Sequence, residues 1–147
     1  MNKDLVYLVQ TDTTVGFSSA DDEKLSLIKK RPNTQKILQT VDSFKTLKDK
    51  TRIPKSFRKR VRNSKKSTFI YPNTNSYRVI DKENKFFKFL SKFKILYSTS
   101  ANLTKEKFEE KFAKENSDII VFNKEGFLEA SSSFIYKISK KSIKKIR

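Results

Sequence analysis

The 147 residues carry 34 Lys and Arg against 16 Asp and Glu, a formal net charge of +18, with 35% hydrophobic residues that include 13 Phe and 5 Tyr. The absence of Cys and His excludes disulfides, thiolate nucleophiles, Cys/His zinc sites and His-based triads. The length predicts one domain, residues 1–147, with enough bulky side chains to form a core rather than a disordered chain.

No apolar run reaches the roughly 18 residues that a membrane span needs. The start, MNKDLVYLVQTD, has only a short apolar centre followed by acid, so it reads as a poor signal peptide. A soluble cytoplasmic protein without membrane partners is the expectation. The charge points to polyanions such as tRNA, ATP or anionic lipid. It is equally the mark of a Lys-rich background composition, in which lysines solvate the surface.

Residues 5–10 (LVYLVQ) read as a buried strand. They run into the hydroxyl-rich loop 11–17, which holds one of the two glycines. Ser18 and Ser19 each have an acid three residues on, a capping-box pattern. The next helix has Leu25, Leu27 and Ile28 on a narrow apolar face and ends before Pro32. Residues 36–41 read as a second strand, VDSFKTLKDK as a short helix, and 54–63 as a helix with Pro54 near its start. Residues 67–72 and 76–80 read as two strands around an Asn-Thr-Asn turn. Asp81 is placed to cap a helix whose aromatic residues at 86, 87, 89 and 93 form a core stripe. Residues 94–98 form the next strand, with STSAN (98–102) as its exit loop. Thr104 is placed to cap a helix carrying Phe108 and Phe112 on one face. Strands at 118–122 and 132–138 and a last one in the tail complete the pattern. The alternation predicts an α/β fold with a mixed sheet and helices packed on it.

Three hydroxyl-bearing loops follow predicted strands: 10–14, 98–102 and 130–133. Strand-end loops are where α/β folds hold ligands, and hydroxyls with backbone N–H groups seat phosphate or carboxylate oxygens. Each loop alone also reads as an ordinary turn. Lys29 and Arg31 sit at a helix C-terminus, where they hold an anion or merely complement the helix dipole. Arg78 lies mid-strand, a place that needs a partner, a ligand or an exposed edge. Residues 52–66 hold eight basic residues and no acid, and the tail KISKKSIKKIR adds six more positive charges. Both read either as a solvated face or as a seat for RNA backbone with salt-sensitive affinity. Asp12 is placed to bind a magnesium ion, a substrate amine or its own loop. No metal site built from the protein's own side chains is expected. No P-loop or GxGxxG is present.

In chain order these pieces resemble the YrdC-like family of threonylcarbamoyl-AMP synthases. QTDTTVGF (10–17) is similar to the family's Pro-Thr-Glu/Asp-Thr-Val-Tyr-Gly-Leu, and KKRP (29–32) to its Lys-x-Arg-Pro. STFIY (67–71), SYRVI (76–80), the intact Ser100-Ala101-Asn102 and SSFI (132–135) follow in family order. Gln10 stands where the family has Pro, Val15 where it has Tyr, and Gln35-Lys36-Ile37 where it often has Asn-Pro-Leu. The family's Pro-Gly-Pro is replaced by SKKS (64–67). The resemblance implies a twisted mixed sheet with a basic concave cleft. It implies synthesis of threonylcarbamoyl-AMP and pyrophosphate from L-threonine, bicarbonate and ATP, for tRNA threonylcarbamoyladenosine formation. Partners would then include tRNA and the threonylcarbamoyl-transfer proteins.

No protein nucleophile is implied, because threonine's own carbamate attacks the α-phosphorus. Thr11, Arg78 and Ser132 would face threonine. Lys29, Arg31, Gln35, Thr68, Ser100, Asn102 and Arg147 would face ATP, with Mg2+ arriving on its phosphates. Two alternatives stand beside this reading. One is a non-catalytic YrdC-fold module that binds RNA or nucleotide through its basic face. The other is an unrelated ribosome- or RNA-associated basic domain.

Overall fold

A continuous apolar run, buried on both faces, sets the first strand. In the computed structural model, which describes residues 1–147, Tyr7–Gln10 (β1) and Val15–Ser19 (β2) pair as an antiparallel hairpin. The expected loop at 11–17 therefore ends at Thr14, because Val15–Phe17 is claimed by the ladder. Ser18 and Ser19 lie buried inside β2 and do not cap the next helix. That helix, Asp22–Ile28 (α1), is capped by Asp21, whose side chain accepts from the Lys24 N–H at 3.2 Å.

The end of α1 redirects the chain. Lys30 adopts a left-handed backbone with φ of 53°. Its N–H donates to the Leu27 carbonyl, and the Arg31 N–H donates to the Ser26 carbonyl. This pair of bonds is a Schellman turn, a geometry in which glycine is the usual residue. It reverses the backbone sharply, so that Lys29 and Arg31 leave it on different sides.

Next come Gln39–Val41 (β3), Phe44–Lys50 (α2, capped by Ser43), a 3-10 turn at Lys55–Phe57, and Arg58–Asn63 (α3). Ser67–Ile70 (β4) and Ser76–Val79 (β5) form the second hairpin. Phe86–Leu90 (α4), Ile95–Ser100 (β6), Glu110–Glu115 (α5), Ile119–Ile120 (β7), Phe134–Ile138 (β8) and Ile143–Lys145 (β9) complete the order.

Three expectations change. The helix read from Asp81 shrinks to α4, because Asp81 and Asn84 each turn the chain locally by accepting from an N–H two residues on. STSAN is not an exit loop: Ser98–Ser100 continue β6 and pair with β2. Thr104 caps nothing. Its hydroxyl donates to the Lys29 carbonyl and accepts from Arg31 Nε.

Nine strands form one mixed sheet in the order β7-β1-β2-β6-β3-β5-β4-β8-β9. The pairs β1–β7, β3–β5 and β4–β8 are parallel and the others antiparallel. Strand periodicity sorts the side chains onto two faces. On one face Leu8, Val15 and Phe17 pack with Leu25 of α1 and Ala113 of α5, while Phe69 and Tyr77 pack with Leu47 of α2 and Val61 of α3. On the other face Tyr7, Val9 and Leu96 pack with Phe86, Phe89 and Leu90 of α4. Each fully buried Leu or Phe contributes about 1.5–3 kcal/mol. Leu96, Thr40 and Arg78 are register partners, so Arg78 shares this second face. No helix is long and apolar enough to cross a membrane.

Candidate functional site

The second face is covered by α4 at its β1 end only. Toward β4 and β5 it stays open as a cleft of about 350 Å³, within the size range of small-molecule sites. Thr68, Ser76 and Arg78 rise from β4 and β5, Ser98 and Ser100 from β6, and Thr11 from the β1–β2 turn. Arg31 and Gln35 close one side; Ser132, Ser133 and Arg147 close the other. Eight of the ten residues expected from the sequence meet here: Thr11, Arg31, Gln35, Thr68, Arg78, Ser100, Ser132 and Arg147. Lys29 and Asn102 lie outside the lining.

Arg78 is 3% exposed and Asp12 is 7% exposed. The Arg78 Nε donates to both Asp12 carboxylate oxygens at 3.1 Å, and Nη2 donates to Oδ1 at 2.9 Å. The pair fixes the guanidinium plane across 66 positions of sequence. Arg78 Nη1 has no protein partner, yet it is not among the fully buried unpaired atoms. Its N–H groups therefore remain open to the cleft. Asp12 does not hydrogen-bond its own loop, the third option its sequence offered; its carboxylate is engaged by Arg78 instead.

Lys29, expected to meet triphosphate directly, is turned inward by the Schellman turn and is 2% exposed. Its ammonium donates to the Ser100 carbonyl at 2.8 Å, to Ser100 Oγ at 3.3 Å, to Asn102 Oδ1 at 3.1 Å and to the Asn102 carbonyl. It holds the end of β6 from behind. Burial, and secondly the charge of Arg31, push its pKa down to about 8. Asn102 in turn donates to the Glu106 carbonyl. These two residues shape the wall that Ser100 presents.

The hydroxyls are also organised. Thr68 Oγ1 and Ser133 Oγ lie 2.8 Å apart and are buried together. Arg147 donates from Nε and Nη2 to the Ser133 carbonyl at 3.1 and 2.9 Å, which pins its guanidinium beside the cleft. Thr11 Oγ1 donates to the Thr14 carbonyl at 2.5 Å and accepts from the Thr13 N–H at 3.2 Å. The serines at 131–133 lead into β8 rather than follow a strand, which is why Ser132 and Ser133 reach the cleft. Ser133 was missed because three adjacent serines carry no signal of which one faces inward.

Gly16 matters for a steric reason. A Cβ there would lie 2.8 Å from the Thr99 carbonyl oxygen and 3.3 Å from the Thr11 methyl. Only glycine lets β2 and β6 approach so closely at the cleft floor.

Arg31, Lys36, Arg78 and Arg147 line the cleft and no carboxylate does. Such a site neutralises an anionic ligand of several charges and fixes its oxygens with neutral hydroxyls. No group of three or more Asp or Glu is arranged to hold a metal ion.

No protein-family model and no curated protein sequence matches the chain. Solved structures do. P. abyssi Sua5 complexed with L-threonine aligns with a TM-score of 0.75 and 14% identity, over 97% of this chain and 50% of that one. E. coli YciO aligns with a TM-score of 0.77 and 16% identity, over 99% and 83%. Full-length HypF in its phosphate- and nucleotide-bound form aligns with a TM-score of 0.71 and 14% identity, over 97% and 26%. The chain spans about half the length of the P. abyssi Sua5 chains it matches. The chain thus has the YrdC/Sua5-like fold.

Proposed function

We propose that the cleft binds ATP and L-threonine and forms threonylcarbamoyl-AMP with release of pyrophosphate. The observation that carries the reading is the convergence of Arg31, Arg78, Ser100, Ser132 and Arg147, from separate parts of the chain, on one carboxylate-free hollow. P. abyssi Sua5, of similar fold, was solved with L-threonine, and HypF with nucleotide.

The chemistry asks little reactive equipment of the protein. Threonine's amine takes up carbon dioxide from bicarbonate as a carbamate and releases a proton. A carbamate oxygen bonds to the α-phosphorus of ATP, and the bond to pyrophosphate breaks. The residues would act by positioning and charge neutralisation. Arg78, through its free Nη1 groups, would hold the threonine carboxylate or carbamate, with Thr11 and Ser132 beside it. Arg31 and Arg147 would offset the triphosphate charge. Thr68 and Ser100 would line the nucleotide cleft, and Gln35 would donate or accept at its rim. Lys29 and Asn102 would serve by fixing the Ser100 wall. The one carboxylate behind the cleft is held by Arg78, so magnesium would enter on the phosphates and be held by them.

A second reading has its own observation. Asp12 already neutralises Arg78, which favours a nucleotide-binding module without turnover. Purified protein incubated with ATP, bicarbonate and labelled threonine separates the two. Threonine-dependent pyrophosphate release supports synthesis. ATP binding without such release supports the module. Failure to bind ATP at all would remove both.

A further inference from the structure

The exposed apolar side chains are confined to the two ends of the sheet. Leu27, Ile119, Ile120, Phe122 and Leu128 lie on the segments that build the β7-β1-β2 end, and Phe134 and Ile146 lie at the β8-β9 end. Met1 apart, no other large hydrophobic side chain is exposed, and none comes from residues 29–105. The same two ends differ in charge. Residues 4–28 and 106–129, which form β1, β2, α1, α5 and β7, hold twelve of the 16 acids and only five Lys. The other 98 residues hold 29 Lys and Arg against four acids. Parallel pairing of β4 with β8 gathers the basic stretch 52–66 and the tail at the far end. A background preference for lysine does not explain two segments in which acids outnumber cations more than twofold.

Each end is also a strand edge. At β7 the Ile119 and Val121 N–H groups donate to the Val6 and Leu8 carbonyls at 3.1 and 2.8 Å, which turns the backbone groups of Ile120 to the outer rim. The usual guards are missing there. Residues 119–122, Ile-Ile-Val-Phe, contain no charge and no proline, and their side chains favour strand pairing. Beside them Glu115 and Asp118 are exposed, and neither forms an ion pair. The β9 edge is the opposite. Lys140, Lys141, Lys144 and Lys145 are exposed and none forms an ion pair. Lysines on an edge keep another basic strand away, but they do not repel an acidic one.

We propose that the β7 edge docks a second copy of this chain, head to tail, through the β9 end of that copy. Backbone pairing along the two rims, contact between their exposed apolar side chains and the opposite charge of the two ends hold the copies together. Like ends do not pair: β9 on β9 sets lysine against lysine, and β7 on β7 sets Glu115 and Asp118 against themselves. The contact is therefore heterologous, and a row of copies keeps one free end of each kind. The net charge of +18 does not forbid it. Nine strands at a spacing of about 4.8 Å put the two ends of a sheet up to about 40 Å apart. That is several times the screening length of about 8 Å at physiological ionic strength, so the facing ends set the interaction. Association of this kind does not depend on what the cleft binds.

Sedimentation equilibrium at rising concentration tests this, on protein stripped of nucleic acid at high salt and returned to physiological ionic strength. The wild-type weight-average mass rises from one chain toward two and beyond. Two variants each block one end: Glu115→Lys with Ile120→Lys at β7, and Lys144→Glu with Ile146→Glu at β9. All four positions are exposed, and a circular dichroism melt checks that both variants fold. Should Ile120→Lys fail that check, Phe122→Lys takes its place, at a side chain that is 86% exposed. Each variant alone stays a single chain over the same range. Their equimolar mixture forms a two-chain species and stops there, because the first keeps only its β9 end and the second only its β7 end. Wild type that stays a single chain at every concentration would overturn the proposal. A variant that associates by itself would overturn it too, since like ends or another surface would then be pairing. So would a mixture that stays unassociated or grows past two chains.

Discussion

One face of the sheet is closed at the β1 end and open at the β5 end, and the contrast shows how this chain makes a site. At the closed end Tyr7, Val9 and Leu96 are apolar on this face and α4 covers them with Phe86, Phe89 and Leu90. At the open end the same alternation presents Thr68, Ser76, Arg78, Ser98 and Ser100. No apolar helix could settle on them without burying unmatched polar groups. The cleft is therefore the part of this face whose positions are mostly polar. Its stability has to come from polar pairing instead of helix packing.

The two ends can be set against each other by mutation. Phe89→Ala and Arg78→Ala are both expected to cost about 3–5 kcal/mol, by different routes. Phe89→Ala leaves a cavity under α4. Arg78→Ala strands the buried Asp12 carboxylate, and adding Asp12→Asn should restore much of the loss. Denaturant midpoints check this, and an Arg78→Ala that is not rescued by the second change would break the contrast. Gly16→Ala is expected to cost about 1–3 kcal/mol and to weaken ATP binding, because the added methyl collides with the Thr99 carbonyl at the cleft floor.

The wall between the two ends depends on Lys29, and pH addresses it. In the folded chain Lys29 releases its proton near pH 8; unfolded, it holds it to about 10.5. Between these values the unfolded chain binds more protons, so this group makes stability rise as pH rises. Below about 8 both states are protonated and the burial cost is constant. Lys29→Met should lose that rise. Taking wild type minus variant cancels Tyr7, Tyr71 and the half-buried Tyr97, whose pKa values are raised by burial. The smallest effect is expected at Lys30→Gly. Relief of the left-handed backbone should stabilise by up to about 1 kcal/mol and leave ATP binding unchanged.

Local signals carried much of this architecture. The alternation in SYRVI marked β5 and made Arg78 conspicuous, because a charge inside a strand needs an answer. The hydroxyl runs marked much of the cleft lining, although 98–100 lie inside β6 and 131–133 precede β8 rather than follow a strand. What was not legible depended on distance along the chain. Nothing near Arg78 names Asp12 as its partner, because register brings the two together only through β3 and β6. Ser18 and Ser19 carry a good capping pattern, but pairing with β1 and β6 takes precedence over a local cap. Lys29 reads as a dipole-complementing surface lysine until the turn at Lys30 sends it inward. The charge segregation was visible in outline at 52–66 and in the tail, but the pairing of β4 with β8 is what joins the two.

The strand order carries a consequence for how the protein is made. The six central strands, β1 through β6, come from residues 7–100, while β7, β8 and β9 flank them from residues 119–145. During synthesis the central slab can assemble while the ribosome is still adding the flanking strands. In that interval β1 and β4 expose unpaired hydrogen-bonding rims on opposite sides, the kind of rim along which nascent chains adhere to one another. The β4 rim directly follows the acid-free basic stretch 52–66, whose charge repels the same rim of a second copy, so the β1 rim is the one a chaperone would have most need to shield.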